Sequence, residues 1–223
     1  MPYKAIRKNP SAPQVAPAIL AALQDIPVAA LSDNLHRNIG SVGLQPYHRP
    51  GHKTMAGTAV TVKTRGGDNL TPMRAFEFCR PGDVLVIDAG GDVTNAVIGG
   101  ILSFYTATIG TAGLVLDGAI RDVAEIRERD YPVYARGVNH RGPYKDGPGE
   151  INVPVSVGGM IVNPGDIVVG DQDGLLAFSP DEAELLIEKA RAHLETEART
   201  IQAMKEGRWD RSFLDALEAR CMN

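Results

Sequence analysis

The sequence predicts an α/β protein in which βα units are completed by a second, β-rich layer and followed by a helical extension. Short apolar runs alternate with amphipathic stretches between residues 84 and 135, which is typical of βα units. Between residues 151 and 178, apolar residues alternate in short runs broken by Pro and Gly, which indicates several short strands joined by tight turns. At 223 residues and 43% hydrophobic content, the chain can bury one sizeable core.

The first third of the chain is predicted to hold a tail and two short helices. Residues 1–17 contain prolines and basic side chains without an apolar pattern, so we expect a tail. Helices are expected at residues 18–25 and 30–39, and Gly40 is placed to end the second one. We therefore begin the core domain at residue 18.

The central part is predicted to alternate strands with helices. Strands are expected at residues 59–63, 84–87, 114–116 and 133–135, and helices at residues 72–79, 96–109 and 122–129. Gly118 is expected to turn the chain sharply after the third of these strands.

The C-terminal part is predicted to be helical. Apolar residues recur at helical spacing in residues 181–205, and Pro180 is placed to begin that helix. A shorter helix is expected at residues 212–220. We therefore predict a domain at residues 18–180 and an extension at residues 181–223 that packs on its own core or on a neighbouring subunit.

Composition favours a soluble cytoplasmic protein without a surface for nucleic acid. The formal net charge is -4, and no basic stripe of the kind that binds nucleic acid is present. Cys79 and Cys221 lie far apart, which indicates neither a disulfide framework nor a thiolate metal site. We find no signal-peptide pattern and no apolar run of membrane-spanning length.

The most informative pattern is the run Gly-Leu-Val-Leu-Asp-Gly-Ala-Ile-Arg-Asp at residues 113–122. A buried strand there delivers Arg121 and Asp122 side by side at the point where a helix begins. An arginine fork holds a carboxylate in two parallel hydrogen bonds, and an aspartate offers hard oxygen to a divalent cation. The alternative is an exposed pair in which Asp122 is favoured by the helix dipole and binds nothing.

Three further segments carry a family pattern in the same order. They are Gly-Asp-Asn-Leu at residues 67–70, Arg-Pro-Gly-Asp-Val-Leu-Val-Ile-Asp at residues 80–88 and Asn-Pro-Gly-Asp-Ile-Val-Val-Gly-Asp-Gln-Asp-Gly at residues 163–174. With residues 113–122, this ordered set resembles the RraA-like family, which includes the 4-hydroxy-4-methyl-2-oxoglutarate aldolases. The resemblance runs from about residue 29 to the C-terminal helix.

The resemblance implies a three-layer β/β/α sandwich assembled as a homotrimer or hexamer, with active sites between subunits. It implies a lyase that requires Mg²⁺ or Mn²⁺ and acts on a small keto acid through a pyruvate enolate, either as an aldolase or as an oxaloacetate decarboxylase. The alternative within the family is a non-catalytic regulator that binds and inhibits an RNA-degrading endonuclease. Regulators of that type lack the aspartate after the arginine, so the presence of Asp122 favours the enzyme.

The resemblance also implies which residues form the site. Arg121 and Asp122 are the catalytic pair, Asp122 is the metal ligand, and Gly99, Gly100, Ile101, Leu102 and Arg121 bind substrate. Glu197 or Glu195, reaching in from an adjacent subunit, is the counterpart of a second metal ligand. Many aldolases of the family have Asp or Glu where Gly100 stands, so the chain departs at this position from the acidic group that helps those aldolases to organise the metal or move protons.

Other candidates stay open on the residues alone. Lys63 is the candidate for a Schiff base, the competing way to stabilise a carbanion. Asp68 and Asn69 either support the metal site from behind or form a loop with an Asx turn. No two of the five histidines have metal-ligand spacing, and His140 lies in a loop, residues 139–145, that either covers a site or simply connects two elements. The glycines after residue 88 lack the spacing of a dinucleotide fingerprint, which favours a tight turn.

Overall fold

The structure is a computed structural model that describes residues 6–35, 37, 40–49, 51 and 53–221. Its strands are β1 (Ile6–Lys8), β2 (Gln45–Pro46), β3 (Met55–Thr64), β4 (Asp83–Asp88), β5 (Ala96–Ile98), β6 (Gly113–Ile120), β7 (Val133–Val138), β8 (Gly149–Ile151), β9 (Val155–Val157), β10 (Met160–Val162), β11 (Ile167–Gly170) and β12 (Leu175–Phe178). Its helices are α1 (Pro17–Leu23), α2 (Val28–Asp33), α3 (Leu70–Ala75), α4 (Gly100–Thr108), α5 (Val123–Glu128), α6 (Ala183–Lys205) and α7 (Phe213–Cys221). Short 3₁₀ turns occupy Phe76–Phe78 and Pro180–Glu182.

The centre of the fold is a parallel sheet. Strands β3, β4, β6 and β7 lie side by side, and β5 pairs in parallel with the far end of β6. Strand β8 pairs antiparallel with the end of β3, whereas β11 pairs antiparallel with its start and also with β12. Strands β9 and β10 form a separate hairpin.

Along each central strand, successive apolar side chains point to opposite faces of the sheet and so pack into different cores. On β4, Leu85 and Ile87 pack against the helical layer, whereas Val84 and Val86 face a core shared with the β9–β10 hairpin. A third core lies between β11–β12 and the helices α1, α2 and α6. Because side chains of a strand point to opposite faces in turn, each central strand contributes to two cores. The fold is therefore α/β, with helices against one face of the central sheet and a second β layer against the other.

The N-terminal segment is not simply a tail. Strand β1 pairs in parallel with β8, with Ile6 opposite Gly149. Val15 is buried, and its backbone amide donates to Thr58 Oγ1 at 3.0 Å. The prediction of a tail over residues 1–17 is therefore wrong for these positions, because the chain completes the edge of the sheet. Residues 1–5 lie outside the described part.

Two predictions in the central part were also wrong. The helix expected at residues 96–109 begins only at Gly100, because Ala96–Ile98 pairs as a strand with β6. Gly118 lies inside β6, where it makes no turn. It sits at the register shift between β6 and β7, and a Cβ there would lie 3.0 Å from Ala89 Cβ. Its lack of a side chain therefore serves close packing.

The remaining predicted elements are found, with shifted bounds. Helix α2 ends at Asp33, and the predicted continuation includes residues 36, 38 and 39, which lie outside the described part. The five strands β8 to β12 account for the β-rich region expected at residues 151–178. Helix α6 packs on the core through Leu186, Ile187 and Ala190, and its C-terminal half is exposed. Across the described residues, no helix combines the length and apolar character needed to cross a membrane.

Candidate functional site

A small cleft opens where β5 and β6 end and α4 and α5 begin. Its volume is about 180 Å³. The carboxyl ends of parallel strands are where α/β proteins place their ligand sites, because the connecting loops converge there. The lining residues are Asn69, Met73, Ala96, Val97, Ile98, Gly99, Ile101, Leu102, Arg121, Asp122, Pro143 and Lys145.

Arg121 and Asp122 lie together at the end of β6. The Arg121 backbone amide donates to the Ile98 carbonyl at 3.0 Å, which anchors the pair to β5. Arg121 Nε lies 3.7 Å from Asp122 Oδ2, and the two side chains are 42% and 44% exposed. Asp122 has a left-handed backbone with φ of 60°, a conformation that costs a non-glycine residue free energy and is concentrated at functional sites. The backbone of Arg121 is therefore fixed to β5, and both charged side chains remain open to solvent.

The first turn of α4 positions the Asp122 carboxylate. The Gly100 amide donates to Asp122 Oδ2 at 2.9 Å. A Cβ at position 99 would lie 2.6 Å from the same oxygen and 3.0 Å from Arg121 Cγ, so a side chain there would displace the Asp122 carboxylate from this position. Among the described residues, none accepts a hydrogen bond from the amides of Ile101 or Leu102, which lie in the first turn of the helix. These amides remain available to an anion.

A polar loop covers the opposite side of the cleft. Asn95 Nδ2 donates to the Gly142 carbonyl at 2.7 Å, and the Ala96 amide donates to the Arg141 carbonyl at 2.9 Å. The Tyr144 amide donates to the Gly67 carbonyl at 2.8 Å. These bonds tie the loop to β5 and to the turn before α3. The loop therefore presents Pro143 and Lys145 to the cleft as part of the scaffold.

Asp68 anchors this loop from beneath. Its side chain is fully buried, and Oδ2 accepts hydrogen bonds from the amides of Asp146 at 2.7 Å and Gly147 at 3.0 Å and from Arg65 Nη2 at 3.1 Å. Oδ1 accepts a hydrogen bond from the Leu70 amide at 3.0 Å. Asp68 therefore forms the Asx-type turn that was one of its two predicted roles.

The structure brings most of the predicted site residues together. Gly99, Ile101, Leu102, Arg121 and Asp122 all line the cleft, and Gly100 contributes its amide to Asp122. Four apolar cleft residues had no predicted role in the site: Met73, Ala96, Val97 and Ile98. Pro143 and Lys145 belong to the loop at residues 139–145, which was predicted either to cover a site or only to connect two elements. The signal for Lys145 was the polar, Gly- and Pro-interrupted loop that contains it.

Other candidates lie elsewhere in the subunit. Lys63 is exposed on β3 and is not part of the cleft lining, which leaves no support for a Schiff base at that residue. His140 is also absent from the lining. Glu195 and Glu197 lie on the exposed half of α6, where Glu197 Oε1 contacts His193 Nε2 at 3.1 Å. Gly90 and Gly91 have φ of 67° and 71°, which confirms the tight turn predicted there.

The donor atoms of the cleft fit a divalent cation. Within the described residues, Asp122 Oδ1 makes no hydrogen bond, whereas Oδ2 is oriented by Gly100. No three His, Cys, Asp or Glu side chains of the described part gather into a cluster, so one carboxylate would have to be supplemented by other ligands. Mg²⁺ suits such a site because it keeps several waters and binds one or two carboxylates together with substrate oxygens.

Comparison with known proteins identifies the family. A family profile described as RraA-like, aldolase/RraA, matches residues 28–177. A protein of Halalkalibacterium halodurans, provisionally named 4-hydroxy-4-methyl-2-oxoglutarate aldolase, is 37% identical over 174 residues, which are 77% of this chain and 81% of that protein. The chain belongs to the RraA-like family. The family resemblance predicted from the four sequence segments is confirmed.

Solved structures show that this RraA-like chain also has the family fold. A protein of unassigned function from Pseudomonas syringae pv. tomato is similar with a TM-score of 0.76 and 26% identity, over 88% of this chain and 96% of that one. RraAS2 of Streptomyces coelicolor, described as an unusual member of the RNase ES inhibitor RraA family, is similar with a TM-score of 0.75 and 27% identity over 84% and 97% of the two chains. The RNA-processing inhibitor RraA of a Thermus species has a TM-score of 0.61 and 32% identity over 69% and 92%. The family thus joins proteins named as aldolases with proteins named as inhibitors.

Proposed function

We propose that this RraA-like protein is a divalent-metal-dependent lyase that cleaves small 2-oxo acids through a pyruvate enolate. The observation that carries the proposal is the placement of the Asp122 carboxylate beside the Arg121 guanidinium, with one Asp122 oxygen fixed by the Gly100 amide. A regulator that binds through its surface has no need for an aspartate held in a left-handed conformation at the mouth of a cleft.

Each group of the cleft has a distinct task in this proposal. Arg121 pairs with the carboxylate of the 2-oxo acid, and the free amides of Ile101 and Leu102 donate hydrogen bonds to the substrate oxygens on that side. The Asp122 carboxylate would hold the cation. Mg²⁺ or Mn²⁺ bound there would supply the Lewis acid that draws electron density toward the 2-oxo group.

The same enolate serves two reactions. In a 4-hydroxy-2-oxo acid the bond between C3 and C4 breaks, its electron pair enters the enolate of pyruvate, and the hydroxyl proton leaves to water as C4 becomes a carbonyl carbon. In oxaloacetate the bond to the β-carboxylate breaks instead and carbon dioxide leaves. In both reactions C3 then takes a proton from water. Arg121 stabilises the enolate because its positive charge is already placed beside the atoms on which negative charge grows.

We further propose that the protein acts in the cytoplasm as a homotrimer or hexamer with the cleft near a subunit contact. Three large apolar side chains on α4, beside the cleft, support such a contact: Ile101, Phe104 and Tyr105 are 81%, 57% and 47% exposed. A contiguous exposed apolar patch is typical of an interaction surface. Sedimentation equilibrium of the wild type and of a Phe104→Ser variant tests this, since a purely monomeric wild type would contradict it.

The decisive experiment measures whether the protein releases pyruvate from its proposed substrates. Purified protein with Mg²⁺ is incubated with 4-hydroxy-4-methyl-2-oxoglutarate or oxaloacetate, and pyruvate is followed with a coupled reductase. We expect release that is abolished by a chelator and falls at least about a hundredfold in both Asp122→Asn and Arg121→Met. The first change removes the carboxylate that would hold the cation, and the second removes the positive charge beside the developing enolate. Glu128→Gln is the matched control, because it removes the charge of an exposed acidic side chain on the neighbouring helix α5. Full activity in Asp122→Asn would overturn the proposal.

The inhibitor role is the second candidate, and the structural similarity to RraA proteins at 27% and 32% identity favours it. It requires a binding surface and no cation. Tight binding to an RNase E-type endonuclease by both wild type and Asp122→Asn, together with no pyruvate release by either, would establish this role in place of the lyase.

A further inference from the structure

Residues 195–221, which we call the C-terminal arm, lie outside the apolar cores of the subunit. The arm consists of the second half of α6, the turn after it and all of α7, and none of its described residues is buried. It nevertheless carries large apolar side chains that are 42% to 51% exposed: Ile201, Met204, Trp209, Phe213, Leu214 and Leu217. A set of exposed apolar side chains on one segment indicates an interaction surface.

The apolar face of α6 continues past the point where the core ends. Ile187 and Leu194 pack into the core shared with α1 and α2, and Ile201 follows at the same seven-residue spacing. Ala190 is buried in that core, and Met204 lies two heptads further along the same face. A seven-residue repeat keeps side chains on one face of a helix. The face that packs on the core near Ala190 is therefore exposed at Ile201 and Met204.

Helix α7 is too short to be stable by itself. It spans nine residues, and none of them is buried. A helix of fewer than about 12 residues is marginal in water and depends on the packing of an amphipathic face. Phe213, Leu214 and Leu217 lie on one side of α7, and the ring of Trp209 extends that side, with its centroid 6.4 Å from the Phe213 ring. The apolar side of α7 therefore needs a partner surface.

The charges of the arm favour a second copy of the chain as that partner. The arm contains six acidic and five basic side chains, so its net charge is close to zero. Helices that bind membranes and surfaces that bind nucleic acid are strongly basic, which the arm is not. A surface with both signs and little net charge meets a copy of itself without strong repulsion. A stable interface uses about 20–30 residues on each side, which is the length of this arm.

We propose that the C-terminal arms of two copies of this chain pair around a twofold axis. The apolar side of α7 in one copy lies along the exposed face of α6 in the other, where Ile201 and Met204 receive it. A twofold contact is isologous, so each copy both provides and receives the same surface. No residue of the arm lines the cleft that contains Asp122, so this inference is independent of the proposed function.

Cross-linking between two different copies tests the pairing of α6 with α7. One protein carries Met204→Cys and the other carries Leu217→Cys, both in a Cys221→Ser background, and the two are co-expressed and mildly oxidised. We expect a disulfide-linked dimer that contains one chain of each kind, because packed helices bring facing Cβ atoms to about the 4 Å that a disulfide requires. Gln202→Cys in place of Met204→Cys is the control, since it lies on the opposite side of α6.

Sedimentation equilibrium of the full-length protein tests the apolar contact. The double variant Leu214→Glu, Leu217→Glu should have half the mass of the wild type, because it places charges inside an apolar interface. Both side chains are exposed in the subunit, so the fold itself should be unaffected. Ala219→Glu is the matched control and should keep the wild-type mass, since it adds the same charge roughly 200° around α7 from Leu217.

Three results would overturn the twofold pairing. The first is an equal mass for the wild type and the double variant. The second is cross-linking through Gln202→Cys that is as efficient as cross-linking through Met204→Cys. The third is a disulfide within a single chain that carries both Met204→Cys and Leu217→Cys, without any linked dimer, because α7 would then fold back on its own α6.

Discussion

The Glu125 carboxyl group occupies the space into which a side chain at position 100 would project. A Cβ built on Gly100 would lie 2.7 Å from Glu125 Cδ. Arg129 holds this arrangement, because it forms an ion pair with Glu125 and donates from Nη1 to the Gly100 carbonyl at 2.8 Å. Position 100 itself has no acidic side chain, but the Glu125 carboxyl group from α5 lies in the space where such a side chain would begin.

This relationship predicts that positions 100 and 125 are energetically coupled. Gly100→Ala should lower the free energy of unfolding by about 1 kcal/mol, because the new methyl group displaces Glu125 from Arg129. The same change in a Glu125→Ala background should cost nothing or stabilise, since alanine is the better helix former. Urea unfolding of the four proteins measures the coupling. Additive effects would show that Glu125 simply swings into solvent.

Asp68 is predicted to control both stability and substrate binding. Asp68→Asn places an amide where four donors converge, so we expect it to lower the free energy of unfolding by about 2–4 kcal/mol. Because Asp68 anchors the loop that carries Lys145, the KM for a keto acid should also rise. Urea unfolding and steady-state kinetics measure the two effects.

Asp146 provides the control for that change. Its carboxylate lies 3.8 Å from Arg65 Nη2, and its side chain is 58% exposed. Asp146→Asn should therefore change the free energy of unfolding by less than about 0.5 kcal/mol. Comparable destabilisation in the two variants would show that burial of the Asp68 carboxylate is not what stabilises the loop.

The prediction that a C-terminal glutamate completes the metal site in a neighbouring subunit can be tested by comparing Glu197 with Glu195. If Glu197 contributes a ligand, Glu197→Gln should raise the Mg²⁺ concentration needed for half-maximal activity by about tenfold or more, because a carboxylate ligand is lost. Glu195→Gln should leave that concentration unchanged. Identical metal titrations for both variants and the wild type would exclude Glu195 and Glu197 as metal ligands.

Cys79 is predicted to be unreactive in the native protein. Burial raises the pKa of its thiol from 9.0 to about 12, and Sγ lies 3.5 Å from the Ala75 carbonyl. At pH 8 a thiol reagent should therefore modify one cysteine per native chain, the exposed Cys221, and both after unfolding. Two rapidly reacting thiols in the native state would contradict this.

The same pKa shift predicts how stability depends on pH. Above pH 9 the unfolded chain loses the Cys79 proton while the native protein keeps it, so the unfolded state binds fewer protons and the free energy of unfolding falls as pH rises. Cys79→Ala should reduce this slope between pH 9 and 12. An unchanged slope would mean that other groups, such as the buried Tyr131 whose pKa is raised to about 12, account for it.

Local sequence patterns were sufficient for much of the fold and for the centre of the candidate site. Apolar runs located the strands β4, β6 and β7 because buried parallel strands must be apolar on both faces. The order of four segments identified the family, and the pair Arg121 and Asp122 indicated the cleft. These signals are short-range, so they can be read along the chain.

The errors arose where long-range pairing outweighed local preference. Ile6–Lys8 and Ala96–Ile98 become strands only because β8 and β6 offer free edges. From the sequence, Gly118 was predicted to make a turn, whereas in the structure it allows the close approach of Ala89. The anchoring role of Asp68 could not be distinguished along the chain from a role at the metal site, since it depends on the four donors that surround its carboxylate. Backbone pairing and hydrogen-bond geometry join residues far apart in sequence, and only the tertiary structure brings those partners together.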